Sequence, residues 1–386
     1  MVQRSLNIFK NNSFFLFGAR GTGKTRLITD LIPASACIYI DLLDPAQYEQ
    51  FLVDPSRLTR LINARDPHIE WIIVDEVQKV PPLLDIAHAC IEKYHIKFAL
   101  TGSSARKLKR GGANLLAGRA YTYHLYPFTA DELGADFDLD RCLAWGTLPK
   151  PYTADTNEER ALFLRSYVHT YLREEIQVEQ LVRRLDPFRR FLSVAAQMNG
   201  TLINFSNIAR DVGSTTPTVQ SYFQILEDTL LGFYLEPYHL SVRKRQKEAP
   251  KFYFFDIGVQ RALAELLTLP LVESSYGYGK TFEHFIILEL HRRSSYLQND
   301  FKFSFLVTKD DAEIDLIVER PGRKTIIVEI KSTTTVREDH VVALRRFLPD
   351  FKNSEGICLS RDQTAQKFGE VMCLPWDQGI LKILED

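Results

Sequence analysis

The sequence predicts an α/β protein of several domains, and three stretches of its 386 residues predict it. A glycine-rich loop follows an apolar strand near the N-terminus. A helix–turn–helix pattern lies in the middle, and a hairpin of alternating apolar and charged residues comes near the C-terminus. The composition agrees, since 45% hydrophobic and 25% charged residues are ordinary for a globular chain. No apolar run reaches the roughly 20 residues that cross a bilayer. The N-terminus lacks a signal-peptide pattern, so a cytoplasmic protein without membrane contact is expected. The five cysteines are scattered with no C-x-x-C, which predicts neither a zinc site nor a disulfide framework. Basic residues (48) and acidic residues (49) nearly cancel, so nucleic-acid contact must come from local patches. Such patches are R-K-L-K-R (106–110), Arg183-Arg184, Arg189-Arg190, R-K-R-Q-K (243–247) and Arg292-Arg293.

The first element is an apolar strand over 14–17 that runs into G-A-R-G-T-G-K-T, residues 18–25, and then into a helix. The spacing G-x-x-x-x-G-K-T between strand and helix is a phosphate cradle. Gly18, Gly21 and Gly23, with Ala19, Arg20 and Thr22 between them, let backbone N–H groups turn toward phosphate oxygens. Lys24 is expected to neutralise the β- and γ-phosphates of ATP, and the Thr25 hydroxyl to ligate Mg²⁺. In W-I-I-V-D-E-V-Q-K, Asp75 and Glu76 end a second apolar strand. Asp75 is expected to hold Mg²⁺ through water, and Glu76 to polarise the attacking water. K-F-A-L-T-G-S-S, from 97 to 104, is another buried strand, whose Thr101 or Ser103 would orient that water. Arg119 precedes a strand over 121–125; it or a member of R-K-L-K-R is placed to reach a neighbouring subunit's γ-phosphate.

In this order, G-A-R-G-T-G-K-T, I-I-V-D-E-V-Q-K, L-T-G-S-S, L-A-G-R, L-Y-P-F-T-A-D-E-L and W-G-T-L-P resemble the AAA+ ATPases of bacteria and archaea. The similarity is to the branch joined to a C-terminal domain of uncertain function, and it extends over nearly the whole chain. It implies a parallel sheet and self-association into a ring-like homo-oligomer, with a hexamer favoured. One departure is visible: where the family has an Arg-Asp pair, Glu174 and Glu175 stand here, with Arg173 one residue early.

From Asp186 the pattern becomes helical. D-P-F-R-R-F-L-S-V-A-A-Q-M-N-G opens on an Asp cap with Pro and stops at Asn-Gly. F-S-N-I-A-R-D-V-G and S-T-T-P-T-V-Q-S-Y-F-Q-I-L-E-D-T-L follow as a helix pair about Gly213, with an apolar stripe through Val219, Phe223, Leu226 and Leu230. Two strands flanking R-K-R-Q-K read as a wing. Arg243, Lys244, Arg245 and Lys247 are the expected phosphate contacts, with Thr216 and Thr218 on the second helix.

E-I-D-L-I-V-E-R-P-G-R-K-T-I-I-V-E-I-K, residues 313–331, reads as a hairpin turning at P-G-R through a three-residue loop. Keeping the apolar faces together pairs Ile314 with Ile330, Leu316 with Val328 and Val318 with Ile326. That register sets Asp315 opposite Glu329 and Glu313 opposite Lys331. Opposed carboxylates repel, and a divalent cation would offset the cost. With Glu283 on a preceding helix, this set resembles the restriction-endonuclease-like fold. The resemblance implies that Glu283, Asp315 and Glu329 hold Mg²⁺ or Mn²⁺ while Lys331 positions water for phosphodiester attack.

The expected organisation is therefore an ATPase core over 1–130, a helical lid or connector over 131–185, a winged helix over 186–262 and a restriction-endonuclease-like α/β domain over 263–386. The expected function is an ATP-hydrolysing motor acting on DNA, of branched or repair-intermediate type, which the terminal domain binds or cuts. A nucleotide-dependent switch acting on a protein partner, with an inactive nuclease-like domain, is the alternative.

Overall fold

The computed structural model describes residues 2–103, 116, 118–171, 185–239, 249–308 and 312–385, without the side chains of 171 and 185. The chain divides into two compact units. One comprises Met1–Phe128 with Asp228–Leu231, and the other Thr129–Glu227 with Gly232–Asp386.

In the first unit, β1 (Ser13–Phe17), β2 (Cys37–Asp41), β3 (Trp71–Asp75), β4 (Lys97–Gly102) and β5 (Ala120–His124) form a parallel sheet in the order β2-β3-β4-β1-β5. Every residue of β1 and β3 is buried, as parallel strands covered on both faces require. Each fully buried phenylalanine of β1 contributes roughly 1.5–3 kcal/mol by leaving water. Because β4 lies between β1 and β3, the phosphate loop and the acid-bearing strand end on either side of Thr101.

The second unit opens with helices. The Leu139–Trp145 helix ends at Gly146, whose φ is 74°. A Cβ there would collide with the Asp256 carboxylate, so the W-G-T-L-P stretch needs glycine at this point. Asp256 caps the Ile257–Leu263 helix through Val259 N–H (3.1 Å) and also accepts from Thr147 N–H (2.8 Å) and Leu148 N–H (3.2 Å). Arg292 donates to Thr147 Oγ1 (2.8 Å) and to the Phe255 carbonyl (2.6 Å). Arg293 pairs with Asp131 at 2.8 Å. The Arg292-Arg293 pair is therefore no basic surface patch: both side chains are buried and bind within the unit.

Three helices follow, Leu185–Gln197, Phe205–Val212 and Thr216–Asp228, with Gly213 in the left-handed region (φ 66°) at the turn. Val219, Phe223 and Leu226 are buried as the stripe predicts. Leu230 falls outside the helix, at φ 60°. The helices lead into β6 (Gly232–Pro237) and β7 (Lys251–Phe254), an antiparallel pair.

Among the described residues, that pair continues into β8 (Lys302–Val307), β9 (Glu313–Glu319), β10 (Thr325–Lys331), β11 (Ser354–Ser360), β12 (Gln366–Phe368) and β13 (Val371–Pro375). The sheet order is β12-β13-β11-β10-β9-β8-β6-β7. β9 and β10 pair Val318 with Ile326 and Leu316 with Val328, the register that the apolar alternation dictates. The connection is longer than a three-residue loop. It spans 320–324, with Arg323 N–H donating to the Arg320 carbonyl (3.0 Å) and Gly322 at φ 74°. The predicted Ile314–Ile330 pair does not form, because the Asp315 carboxylate accepts the Ile330 N–H at 2.7 Å and ends the ladder there. Among the described residues, no helix is long and apolar enough to cross a membrane.

Candidate functional site

The loop after β1 is shaped by its glycines. A Cβ on Gly18 would strike the Leu125 carbonyl, and Gly21 and Gly23 take φ of 83° and 96°. Thr22 Oγ1 closes the loop on the Ala19 carbonyl at 2.9 Å, while Arg20 stays partly exposed. Lys24 and Thr25 open the Lys24–Leu31 helix, so its free N–H groups and dipole face the loop. Lys24 Nζ donates to the Gly18 carbonyl (2.8 Å) and lies 3.9 Å from Glu76 Oε1.

Asp75 collects neutral donors. Thr25 Oγ1 (2.7 Å) and Tyr39 OH (2.8 Å) donate to its Oδ2, and Thr101 Oγ1 donates to its Oδ1. Burial, followed by the Asp75 charge, pushes the Tyr39 phenol well up. Thr101 Oγ1 also accepts the Glu76 N–H at 3.0 Å, which helps to hold Glu76 in a left-handed conformation (φ 57°). Gln78 Nε2 donates to both Glu76 Oε2 and Ser103 Oγ, the latter at 3.1 Å. A hydroxyl and a carboxylate oxygen side by side, Thr25 and Asp75, are hard donors of the kind Mg²⁺ takes. The residues present fit that ion.

The C-terminal carboxylates also gather in one place. Glu283, on the Tyr276–Tyr296 helix, accepts from Tyr253 OH (2.7 Å) and Lys280 Nζ (2.7 Å), and Lys251 Nζ stands 3.6 Å away. Lys251, on β7, also pairs with Glu313. Lys331 pairs with Glu329 at 2.5 Å, instead of meeting Glu313 across the hairpin. The splay at Asp315 is the reason, since the strands part before 313 and 331 can face each other.

The electrostatics follow burial and neighbours. Burial opposes ionisation of Glu283, yet Lys251 and Lys280 hold its carboxyl below the usual range. Burial, and then Glu329 and Glu283, push Asp315 well up; burial also raises Glu329 despite Lys331. Among the described residues, no group of three or more His, Cys, Asp or Glu side chains is spaced to hold a metal ion. The three expected metal ligands are neighbours, but ammonium groups stand on Glu283 and Glu329. As arranged, these residues do not fit a divalent cation.

Residues 10–134 match the family described as an AAA domain, AAA_14. The N-terminal unit is an AAA-type P-loop domain. Residues 136–269 and 278–378 match two domains of unknown function, DUF8612 and DUF4143. Uncharacterized proteins of Mycobacterium tuberculosis and Mycobacterium bovis are each 29% identical over 326 residues, covering 83% of this chain and 70% of theirs. An uncharacterized protein of Haemophilus influenzae is 22% identical over 342 residues, covering 81% of each. The solved Aeropyrum pernix ORC1 protein in complex with DNA aligns at 14% identity over 66% of this chain and 86% of its own. Its TM-score of 0.26 is too low for that alignment to bear on fold or function.

Within the AAA domain, Arg119 pairs with Glu92 on the Leu83–Tyr94 helix. Tyr39 and Gln78, which no spacing rule singles out, turn out to touch the acids directly. In the helix–turn–helix segment, the hydroxyls of Thr215 and Thr218 bond each other at 2.8 Å, and Thr216 begins its helix partly exposed. Arg243, Lys244, Arg245 and Lys247 lie outside the described residues, as do R-K-L-K-R, Arg173, Glu174, Glu175 and Arg183-Arg184. Lys251 is the residue of this acid cluster most clearly missed. It stands 62 positions from Glu313, in a strand that reads as apolar.

Proposed function

We propose that the chain hydrolyses ATP in its AAA domain and couples that turnover to work on DNA. The observation that carries the reading is the hydroxyl-bridged pair Thr25–Asp75 beside Glu76 and Lys24. In it, one acid is arranged for a cation and the other for water. Lys24 swings from the Gly18 carbonyl to the β- and γ-phosphates, and Gly18 to Gly23 wrap them with N–H groups. Thr25, and Asp75 through water, would hold Mg²⁺, which would supply positive charge to the phosphates. Glu76 takes the proton of the attacking water, with Thr101 and Ser103 holding its surroundings. Arg119, released from Glu92, is the arginine assigned to a neighbouring subunit's γ-phosphate in a ring-like homo-oligomer, with a hexamer favoured.

The three helices over 185–228 and the hairpin after them act as a winged helix that grips DNA, branched or repair-intermediate DNA being the assigned target. Thr216, the exposed Arg190 and the basic run at 243–247 serve as phosphate contacts. The C-terminal sheet, restriction-endonuclease-like in its Glu283, Asp315, Glu329 and Lys331, supplies a second DNA-binding surface. The lysine-held carboxylates favour binding without cleavage.

ATP turnover measured with and without double-stranded, single-stranded and branched DNA tests this reading. Stimulation by at least one form is expected, together with affinity falling roughly 0.9 log units per phosphate contact for each tenfold rise in salt. Unstimulated turnover with no DNA shift would instead leave a nucleotide switch acting on a protein partner.

A further inference from the structure

The C-terminal pocket holds a cation already. Lys251 Nζ contacts both Glu313 and Glu283, and its side chain is only 2% exposed. Its backbone is pinned on both sides, opposite Leu235 in the hairpin and bridged to Leu202. Its ammonium also lies over the Phe305 ring at 5.1 Å. A buried ammonium held this way has no solvated position to retreat to, and ejecting it would strand a charge in the protein interior. Lys280 and Lys331 are different. Each keeps about a third of its side chain in water and can swing away from its carboxylate. Glu329 Oε2, by contrast, is a buried oxygen with no hydrogen-bond partner, so the pocket retains one open acceptor.

We infer that Lys251, held on Glu283 and Glu313, is a resident counter-ion that keeps a divalent cation off Glu283, so that the acid cluster is a latent metal site closed by a lysine of its own chain. The inference rests on the nuclease-like layout proposed for this domain, but not on ATP hydrolysis or on DNA binding. Coulomb repulsion explains the exclusion. A fixed positive charge 3.6 Å from the Glu283 carboxylate opposes a second cation there by several kcal/mol even when well screened, at an effective dielectric of about 20. Asp315, Glu283 and Glu329 would become available together only if that charge were removed. The one orphaned oxygen shows where the incoming ion would first bind.

The experiment is a calorimetric Mn²⁺ titration of the nucleotide-free full chain and three variants: Lys251→Met, Lys251→Met with Glu329→Gln, and Glu329→Gln alone. Wild type should show no Mn²⁺ site that Glu329→Gln removes. Lys251→Met should gain one, tighter than any wild-type binding by roughly an order of magnitude or more, and the added Glu329→Gln should abolish it. Wild-type binding that disappears in Glu329→Gln would overturn the inference, and this comparison does not depend on Lys251→Met folding. A folded Lys251→Met, judged by its circular-dichroism melt, that gains no site would overturn it equally. DNA binding enters neither readout, so the inference and the proposed function fail separately.

Discussion

The two acid-bearing sites of this chain neutralise their carboxylates in opposite ways. In the AAA domain, Asp75 is surrounded by the hydroxyls of Thr25, Tyr39 and Thr101. Neutral donors of this kind are displaced cheaply, because each hydrogen bond contributes only about 1 kcal/mol net. In the C-terminal pocket, Glu283, Glu313 and Glu329 face ammonium groups from Lys251, Lys280 and Lys331. Charges buried together compensate one another, and breaking such a pair costs far more than breaking a hydroxyl contact. The first arrangement is held by neutral contacts that an incoming ligand can displace. The second meets its carboxylates with ammonium groups of its own chain and leaves Glu329 Oε2 as an open acceptor.

The largest effect that would break this contrast lies at the P-loop. Lys24→Ala should weaken ATP binding by about two orders of magnitude in equilibrium titration, as expected when a charged phosphate contact is lost. Nearly unchanged affinity would mean that Lys24 stays on the Gly18 carbonyl when nucleotide binds. Next comes the pocket. Lys251→Ala should lower stability in urea by about 3 kcal/mol, the low end for a broken buried pair, because the Glu313 side chain remains 36% exposed. Adding Glu313→Gln should recover part of that loss. A double variant less stable than the sum of the singles would argue against direct pairing.

A pH effect follows from Glu289. Burial pushes its carboxyl up to about 7, against the pull of Arg292, the Ala130 N–H and Arg293. A carboxyl that holds its proton more tightly when folded stabilises the fold at low pH. That contribution should fade as pH rises from about 4.5 through 7, at up to roughly 1.4 kcal/mol per pH unit. Denaturation of Glu289→Gln across this window should therefore lose that slope, and an unaltered slope would place its origin elsewhere. The smallest effect belongs to Tyr39→Phe. Removing one neutral donor from Asp75 should cost about 1 kcal/mol or less and change ATP turnover only severalfold, in contrast to Lys251.

How far each site was legible depends on how local its determinants are. The P-loop is readable because one short spacing sets backbone turns, lysine and hydroxyl together. The β9–β10 register is readable because pairing Leu316 with Val328 and Val318 with Ile326 keeps the alternating apolar residues together on one face. The splay at Asp315 is not, since it arises from a side chain capturing a backbone N–H. Lys251 is hidden because its partners come from strands and a helix distant in sequence. Adjacent Arg292 and Arg293 read as a surface patch, yet the helix that carries them is buried on nearly every side. The Asp256 cap shows why W-G-T-L-P is present: it supplies the N–H groups and the glycine that this aspartate requires.

Turnover by Glu76→Gln is the most direct measurement, with ATP binding followed in parallel on the same sample. Glu76 sits beside Lys24 and is bonded by Gln78. If it takes the proton of the attacking water, the variant should bind ATP as tightly as wild type while hydrolysis falls by roughly 10²–10⁴-fold. Hydrolysis persisting near the wild-type rate, with binding intact, would contradict the account.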